Sequence, residues 1–361
     1  MITNQIIQTS ISELCAITKM ELCVADLQGN LVAQTYREGV VSREIVMNFA
    51  ASEADSQVIQ DQHLFKIYDD DLPLYILAAK GGDDTYMIGK IAVSQLQNLI
   101  IAYKEKVDRN SFFQNLILDN LLLVDIYNRA KKLHIVAEQA RAVFVIETKT
   151  EKDINAREMV SELYSTQNGD YITAVDEQHI ILIKALEQDE SYEELDEVAR
   201  VLVDMLNSEA MTTVRVAYGT IVHEIKDISK SYKEAKMALD VGKIFYVEKV
   251  IIAYNTLGIG RLIYQLPVNL CQIFIDEIFG DHPPAEIDDE ILTTVNKFFE
   301  NNLNVSETSR QLYIHRNTLV YRIEKLQKST GLDIRVFDDA LTLKIALMVV
   351  NYMKYVDSLE Y

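Results

Sequence analysis

The chain has 361 residues, 49% of them hydrophobic, and carries 55 acidic against 35 basic side chains, a formal net charge of −20. That balance excludes attraction to nucleic acid through overall charge, so any contact with a polyanion has to be local. The length suffices for two or three domains, and with no run of eighteen apolar residues and no basic-then-apolar leader the chain reads as soluble and cytoplasmic, with no membrane partner.

From the N-terminus, "ISELCAITKM" has helical spacing, and "ELCVADLQGNLVAQT" sets two apolar runs around Gln28-Gly29-Asn30, a hairpin signal. "HLFKIYDD", "LPLYILAAK" and "TYMIGKIAVS" read as strands, the last two joined at Gly81-Gly82 by a turn that needs positive φ. A small antiparallel sheet flanked by helices over residues 1–95 resembles a sensor module of the PAS or GAF type, whose curved sheet encloses a pocket. The stretch Ser94 to Ile135 has neither Pro nor Gly and keeps apolar residues three and four apart. That spacing predicts a connecting helix or helix pair over 96–135, which also offers a dimerisation surface.

Between Val136 and Asn255 the elements run β-α-β-β-α-β-α-β, a ferredoxin-like arrangement with additions, within a middle domain at 136–278. Gly81-Gly82-Asp83-Asp84 is close in letters to the GGDEF run of diguanylate cyclases, but it lies in the wrong domain and lacks the Glu-Phe. The hairpin where that run would fall reads "TAVDEQHI", without glycine. Asp176, Glu177 and His179 could bind a metal, yet on a polar hairpin tip the reading is solvation. Cys15, Cys23 and Cys271 form no CxxC pair, so neither a disulfide framework nor a zinc site is expected. The expectation is a non-enzyme with no catalytic residues, no metal and no cofactor.

"FGDHPPAEIDDE" (Phe279 to Glu290) has linker composition and sets apart a C-terminal unit at 287–361. There Ser306 is the expected N-cap of one helix, and a second starts near Arg316 after a short break, a helix-turn-helix signature. Winding the second helix at 100° per residue puts Leu319, Ile323 and Leu326 on one stripe. Asn317, Tyr321 and Lys328 fall opposite, with Thr318 and Lys325 beside them. Leu303 to Lys328 holds five bases and two acids, a local +3. Such a helix can read double-stranded DNA. The alternative is a signalling or scaffold protein whose basic helix binds an acidic protein partner. "DDALTLKIALMVVNYMKY" (Asp338 to Tyr355) shows two apolar stripes. One covers the core and the other is free to pair, which predicts a homodimer or higher oligomer.

"HRNTLVYRIEKLQKSTGLD", His315 to Asp333, resembles the helix-turn-helix domain of the PucR and CdaR family of bacterial transcriptional regulators. "ITKMELCVADLQGNLVAQT" and "NLLLVDIYNRAKKLHI" are similar to family stretches too, so the resemblance covers nearly the whole chain. It implies an α+β multidomain chain: a sensor of the sugar-diacid-recognition type, a degenerate GGDEF-like domain and an all-α DNA-binding domain. It implies DNA contacts from His315, Arg316, Asn317 and Thr318, with Tyr321 and Arg322 one turn on, and Lys325 on the outward face completes the DNA-binding set. It further implies a small-molecule effector, a sugar diacid or other organic acid, and control of carbohydrate or organic-acid utilisation genes. A dicarboxylate needs cations, which the N-terminal domain offers as Arg37, Arg43, Lys66, Lys80 and Lys90; Arg37 and Lys80 are the preferred pair.

Overall fold

The computed structural model describes residues 2–35, 41–148, 154–164, 169–187, 191–208, 213–280 and 288–359. Contacts divide the chain into two units, Met1–Phe113 and Gln114–Tyr361.

The first unit contains α1 (Asn4–Thr18), β1 (Glu21–Asp26), β2 (Leu31–Gln34), α2 (Arg43–Ala51), β3 (Ser56–Ile59), β4 (Gln62–Asp69) and β5 (Leu72–Lys80). Its antiparallel sheet has the order β2-β1-β5-β4-β3. Side chains alternate across a strand, so Leu22, Val24, Phe65, Ile67, Leu77 and Ala79 meet α1 and the helix that follows β5. Cys23, Ala25, Leu64, Ile76 and Ala78 point the other way, against Val46 and Phe49 of α2. With both faces covered, β1 and β5 need continuous rather than alternating apolar sequence, as "LCVA" and "YILAA" supply. The β1–β2 hairpin closes where expected, with Gly29 at φ +76° and Asp26 Oδ1 accepting from the Gln28 and Asn30 amides at 2.9 and 2.7 Å.

"TYMIGKIAVS" is a helix, not the expected strand. It opens α3 (Thr85–Ile117), and Gly81 and Gly82 are not among the residues with positive φ. The apolar run fits either period over ten residues. The deciding positions, Ala92, Val93, Leu96 and Ile100, are buried at three- and four-residue spacing. The expected connecting helix therefore starts at Thr85, and it stops at Ile117 before α4 (Leu123–Lys132) begins. Asp119 makes the break: at φ +56° it lets the Asp119 and Asn120 amides reach the Leu116 and Asn115 carbonyls at 3.1 and 2.9 Å.

The second unit continues with β6 (Glu138–Thr148), α5 (Ile154–Leu163), β7 (Tyr171–Ala174), β8 (His179–Ala185), α6 (Tyr192–Ser208), β9 (Val214–Tyr218), β10 (Val222–Glu224), α7 (Ile228–Phe245) and β11 (Ile251–Ala253). The order β9-β6-β8-β7 is antiparallel, as a ferredoxin-like core requires; β11 adds in parallel to β9, and β10 pairs with β6. One sheet face packs on α5 and α6, with Phe144, Leu182, Leu202 and Leu206 fully buried. The other faces α7, where Ser231 Oγ accepts from the Val143 amide at 3.0 Å and donates to the Thr220 carbonyl at 2.8 Å.

The remainder is helical: α8 (Ile259–Tyr264), α9 (Val268–Phe279), α10 (Asp289–Glu300), α11 (Val305–Gln311), α12 (Arg316–Thr330) and α13 (Phe337–Leu359). Their shared core begins upstream of the Pro283-Pro284 stretch, because Ile263, Cys271, Ile275 and Phe279 are buried with Ile291, Phe298, Leu319 and Leu343. Neither stripe of α13 is left free. Leu343, Val350 and Tyr352 are buried and Ile345, Leu347 and Met348 partly so in this same core, leaving Leu341 exposed. The second stripe is taken up by α8 and α9, which the expected boundary had assigned elsewhere.

Gly89 of α3 crosses the sheet so closely that a Cβ there would stand 2.2 Å from Phe65 Cε2, and Phe65 is itself buried. Ala in place of Gly gains about 1 kcal/mol of helix propensity, while overpacking costs about 1–3 kcal/mol. Gly89→Ala is therefore expected to destabilise, read as a lower midpoint for the first unit in urea unfolding of the full chain. A raised midpoint would show that Phe65 gives way.

Candidate nucleic-acid interface

Three helices at the C-terminal surface, α10, α11 and α12, each start on their own side-chain cap. Asp288 Oδ1 accepts from the Glu290 amide at 3.0 Å to open α10. Asn304, not Ser306, opens α11, its Oδ1 accepting from the Ser306 and Glu307 amides at 3.0 Å each. His315 opens α12, its Nδ1 accepting from the Asn317 amide at 3.2 Å. The His315 ring thus has a helix to cap, and Nε2 is what it can offer a ligand.

Burial of Leu319, Ile323 and Leu326 turns α12 as its period predicts. Arg316, Asn317, Thr318, Tyr321, Lys325 and Lys328 are exposed, as is Glu324. Arg316 and Asn317 stand in the first turn, with Tyr321, 64% exposed, one turn on. The side chains of Arg316, Asn317, Thr318 and Tyr321 make no hydrogen bond or ion pair with the described residues.

Two of the expected contacts look elsewhere. Arg322 is turned toward α10, where it donates to Thr294 Oγ1 at 3.1 Å and pairs with Glu290. Lys325 Nζ stands 3.6 Å from Asp288 Oδ2, both groups being half exposed. Spacing along α12 cannot reveal these partners, because the acids lie 32 and 37 positions upstream, at the start of another helix. The open polar edge is consequently the N-terminal half of α12.

In the first unit, Arg37 lies outside the described residues. Lys80 is at the surface, paired with Asp61 at 2.6 Å. Arg43 Nε donates to the Gln28 carbonyl at 2.8 Å, and Lys90 lies over the Phe65 and Tyr86 rings. Lys66 is the buried cation, its Nζ bonded to the Ser52 carbonyl and 5.6 Å from the Phe49 ring centroid. On that same sheet face a cavity of about 10 Å³, touched by Cys23, Ala25, Val46 and Ile76, has room for one water at most.

The middle hairpin tip forms a charged knot. Asp176 Oδ1 accepts from the Gln178 and His179 amides at 2.9 and 2.8 Å, and His179 Nδ1 lies 2.8 Å from the same carboxylate. His179 Nε2 is 3.6 Å from Glu147 Oε1, and Lys243 of α7 also pairs with Glu147. Burial pushes Glu147 up, but the hydrogen bonds from His179 and Lys243 prevail and take its pKa down to about 2. Asp176 and His179 thereby fasten the hairpin to β6 and α7. No group of three or more His, Cys, Asp or Glu among the described residues is disposed to hold a metal ion.

Two family models match, "PucR C-terminal helix-turn-helix domain" over residues 291–349 and "GGDEF-like domain" over residues 120–241. In both domains the chain is similar to the CdaR/PucR family of regulators. The Carbohydrate diacid regulator of Escherichia coli (strain K12) is 25% identical over 292 residues, 75% of this chain and 72% of that one. The Purine catabolism regulatory protein of Bacillus subtilis (strain 168) is 27% identical over 136 residues, 37% of this chain; the chain spans about a quarter of that relative, 26%. The DNA-binding transcriptional activator AdeR of the same organism is 23% identical over 271 residues, 71% of this chain and 63% of AdeR. Among solved structures, the Regulator of Polyketide Synthase Expression from Bifidobacterium adolescentis aligns over 70% of this chain and 99% of that one, at 13% identity and TM-score 0.35. The CdaR/PucR helix-turn-helix match takes in α10 to α12 and most of α13, the elements that carry the open edge.

Two tests follow from this geometry. Arg322→Ala is expected to lower stability by about 1 kcal/mol, since its partner Glu290 is exposed, and to leave DNA affinity of the folded protein unchanged. Thermal unfolding beside a DNA titration checks both, and lost affinity with unchanged stability would return Arg322 to the DNA face. The hydrogen bond to Glu147 raises the His179 pKa above its ordinary 6.5 against the opposing effect of burial, with Asp176 adding to the rise. Folding then favours protonated His179, a stabilisation fully present below about pH 6.5 and lost as pH rises through the folded pKa. His179→Gln is therefore expected to cost more stability near pH 6 than near pH 9 in paired urea titrations. An equal cost at both would leave the ring with packing alone.

Proposed function

We propose that the chain is a ligand-responsive transcriptional regulator that binds operator DNA through α12, with α11 as the supporting helix of the pair. The observation that carries the reading is the polar edge Arg316-Asn317-Thr318-Tyr321, exposed and without internal partners among the described residues, held outward by the buried Leu319, Ile323 and Leu326. An edge of this kind at the start of a recognition helix enters the major groove by its first two turns. The names of the relatives, a carbohydrate diacid regulator and a DNA-binding transcriptional activator among them, support the same reading.

The first unit is the proposed sensor: its five-stranded antiparallel sheet with helices on both faces agrees with a PAS- or GAF-type module. Its effector is a sugar diacid or other organic acid, and the genes controlled serve carbohydrate or organic-acid use. The protein works in the cytoplasm as a homodimer or higher oligomer, for which the exposed Met87, Ile91 and Ile101 of α3 provide apolar surface. No helix of the described residues is long and apolar enough to cross a membrane. The GGDEF-like domain acts as a structural module and not as a cyclase, since Asp176 and His179 serve the hairpin itself.

In this reading Asn317 pairs with a base edge, adenine by preference, and Arg316 grips a backbone phosphate. Arg316→Ala should weaken binding to all duplexes alike and lower the salt slope by about one, whereas Asn317→Ala should cost about 1–3 kcal/mol on the operator and little on unrelated sequence. Titrations of both variants on a library-selected duplex and a random one, at several salt concentrations, read the difference. If both folded variants keep wild-type affinity for the selected duplex, α12 does not read DNA and a protein-binding role takes its place.

A further inference from the structure

Four helices, α3, α4, α10 and α11, end in a similar way, with the left-handed region entered just past the helix and two backbone bonds closing the last turn. The residues in that position are Asp119, His134, Asn302 and Tyr313, at φ +56°, +55°, +51° and +54°; Leu303, next to Asn302 at φ +62°, is also left-handed but packs against the helical core. At Tyr313 the bonds run from its own amide to the Arg310 carbonyl at 3.2 Å and from Ile314 to the Ser309 carbonyl at 3.1 Å. Asp, His and Asn are the side chains, after glycine, that accept this conformation most readily; tyrosine is not among them.

Nothing inside the folded chain rewards the exception. Tyr313 is 96% exposed and forms no hydrogen bond through its hydroxyl with the described residues. Its neighbours Leu312 and Ile314 pack against the helical core, so the turn is fixed and the ring projects from a rigid base. A glycine there would close α11 with less strain. A residue that strains the backbone without serving the fold points to a requirement outside it.

Tyr313 sits in the turn between α11 and α12, two residues before the cap of the helix proposed to enter the groove. In a helix-turn-helix the first helix crosses the DNA backbone and the second lies between the phosphate ridges, so the connecting turn lies beside a phosphate row. We propose that Tyr313 is a DNA-backbone contact, its phenol hydroxyl donating to a phosphate oxygen beside the bases that α12 reads. This rests on the DNA-reading role of α12. A neutral donor positions the protein on the duplex without displacing a counterion, so its signature differs from that of Arg316.

The test uses the full chain, a duplex selected from a random library by the wild type, and an unrelated duplex, each titrated at several salt concentrations. Tyr313→Phe should weaken binding to both by about three- to tenfold with the salt slope unchanged. Tyr313→Gly should weaken it at least as much while raising the unfolding temperature by about 2–4 °C. Wild-type affinity in Tyr313→Phe overturns the proposal whatever the glycine variant does, and so does a lowered unfolding temperature in Tyr313→Gly, which would mean the ring serves the fold. Asn317→Ala run alongside separates the two readings. If it loses the selected duplex while the Tyr313 variants keep it, Tyr313 falls and the DNA-reading role stands. A wild type with no salt-dependent DNA binding brings down both.

Discussion

The C-terminal surface depends on the burial of three side chains, Leu319, Ile323 and Leu326. Each contributes about 1.5–3 kcal/mol when removed from water, whereas an exposed ion pair contributes about 0–1 kcal/mol. The apolar stripe therefore sets the rotation of α12, and the charges follow. With the stripe fixed, Arg316, Asn317, Thr318 and Tyr321 face outward, while Arg322, nearer the core, finds Thr294 and Glu290 of α10. One helix thus divides its basic residues between holding the domain together and standing free at the surface.

A chain with a net charge of −20 can carry such an edge because electrostatics in water is short-ranged. At physiological salt the screening length is about 8 Å, so acids elsewhere on the molecule barely reach a phosphate held against Arg316. What does reach it is local. Glu307 is neutralised by Arg310, and Glu290 and Asp288 by Arg322 and Lys325. These ion pairs neutralise three of the carboxylates around α12, leaving Glu324 exposed on it.

Periodicity made much of this legible in sequence. The buried stripe of α12, the β-α-β-β-α-β core of the middle domain and the hairpin at Gly29 all follow from residue spacing and turn chemistry. Where sequence reasoning failed, the cause was a long-range contact or a silent cap. "TYMIGKIAVS" suits a strand until Gly89 is seen to lie on Phe65, a partner 24 positions away. The helix ends at Asp119, His134, Asn302 and Tyr313 carry no glycine, so the usual stop signal is missing and only the backbone angles reveal them. His315 stands in the motif as a contact residue, yet its Nδ1 caps the helix that presents its neighbours.

The helical core also bears on how α11 and α12 can move. The linker-like composition around Pro283-Pro284 suggests a hinge, but α8 and α9 on one side are packed with α10, α12 and α13 on the other. Separating them would expose Ile263, Cys271, Ile275 and Phe279 together with their partners, at about 1.5–3 kcal/mol for each large side chain. Asp240 of α7 strengthens the union by accepting from the Tyr264 hydroxyl at 2.9 Å and the Tyr355 hydroxyl at 3.3 Å, which binds the GGDEF-like domain to α8 and α13. The second unit is thus held as a single packed body from β6 to α13. A helix-turn-helix so anchored cannot swing independently of the rest of the second unit at low cost.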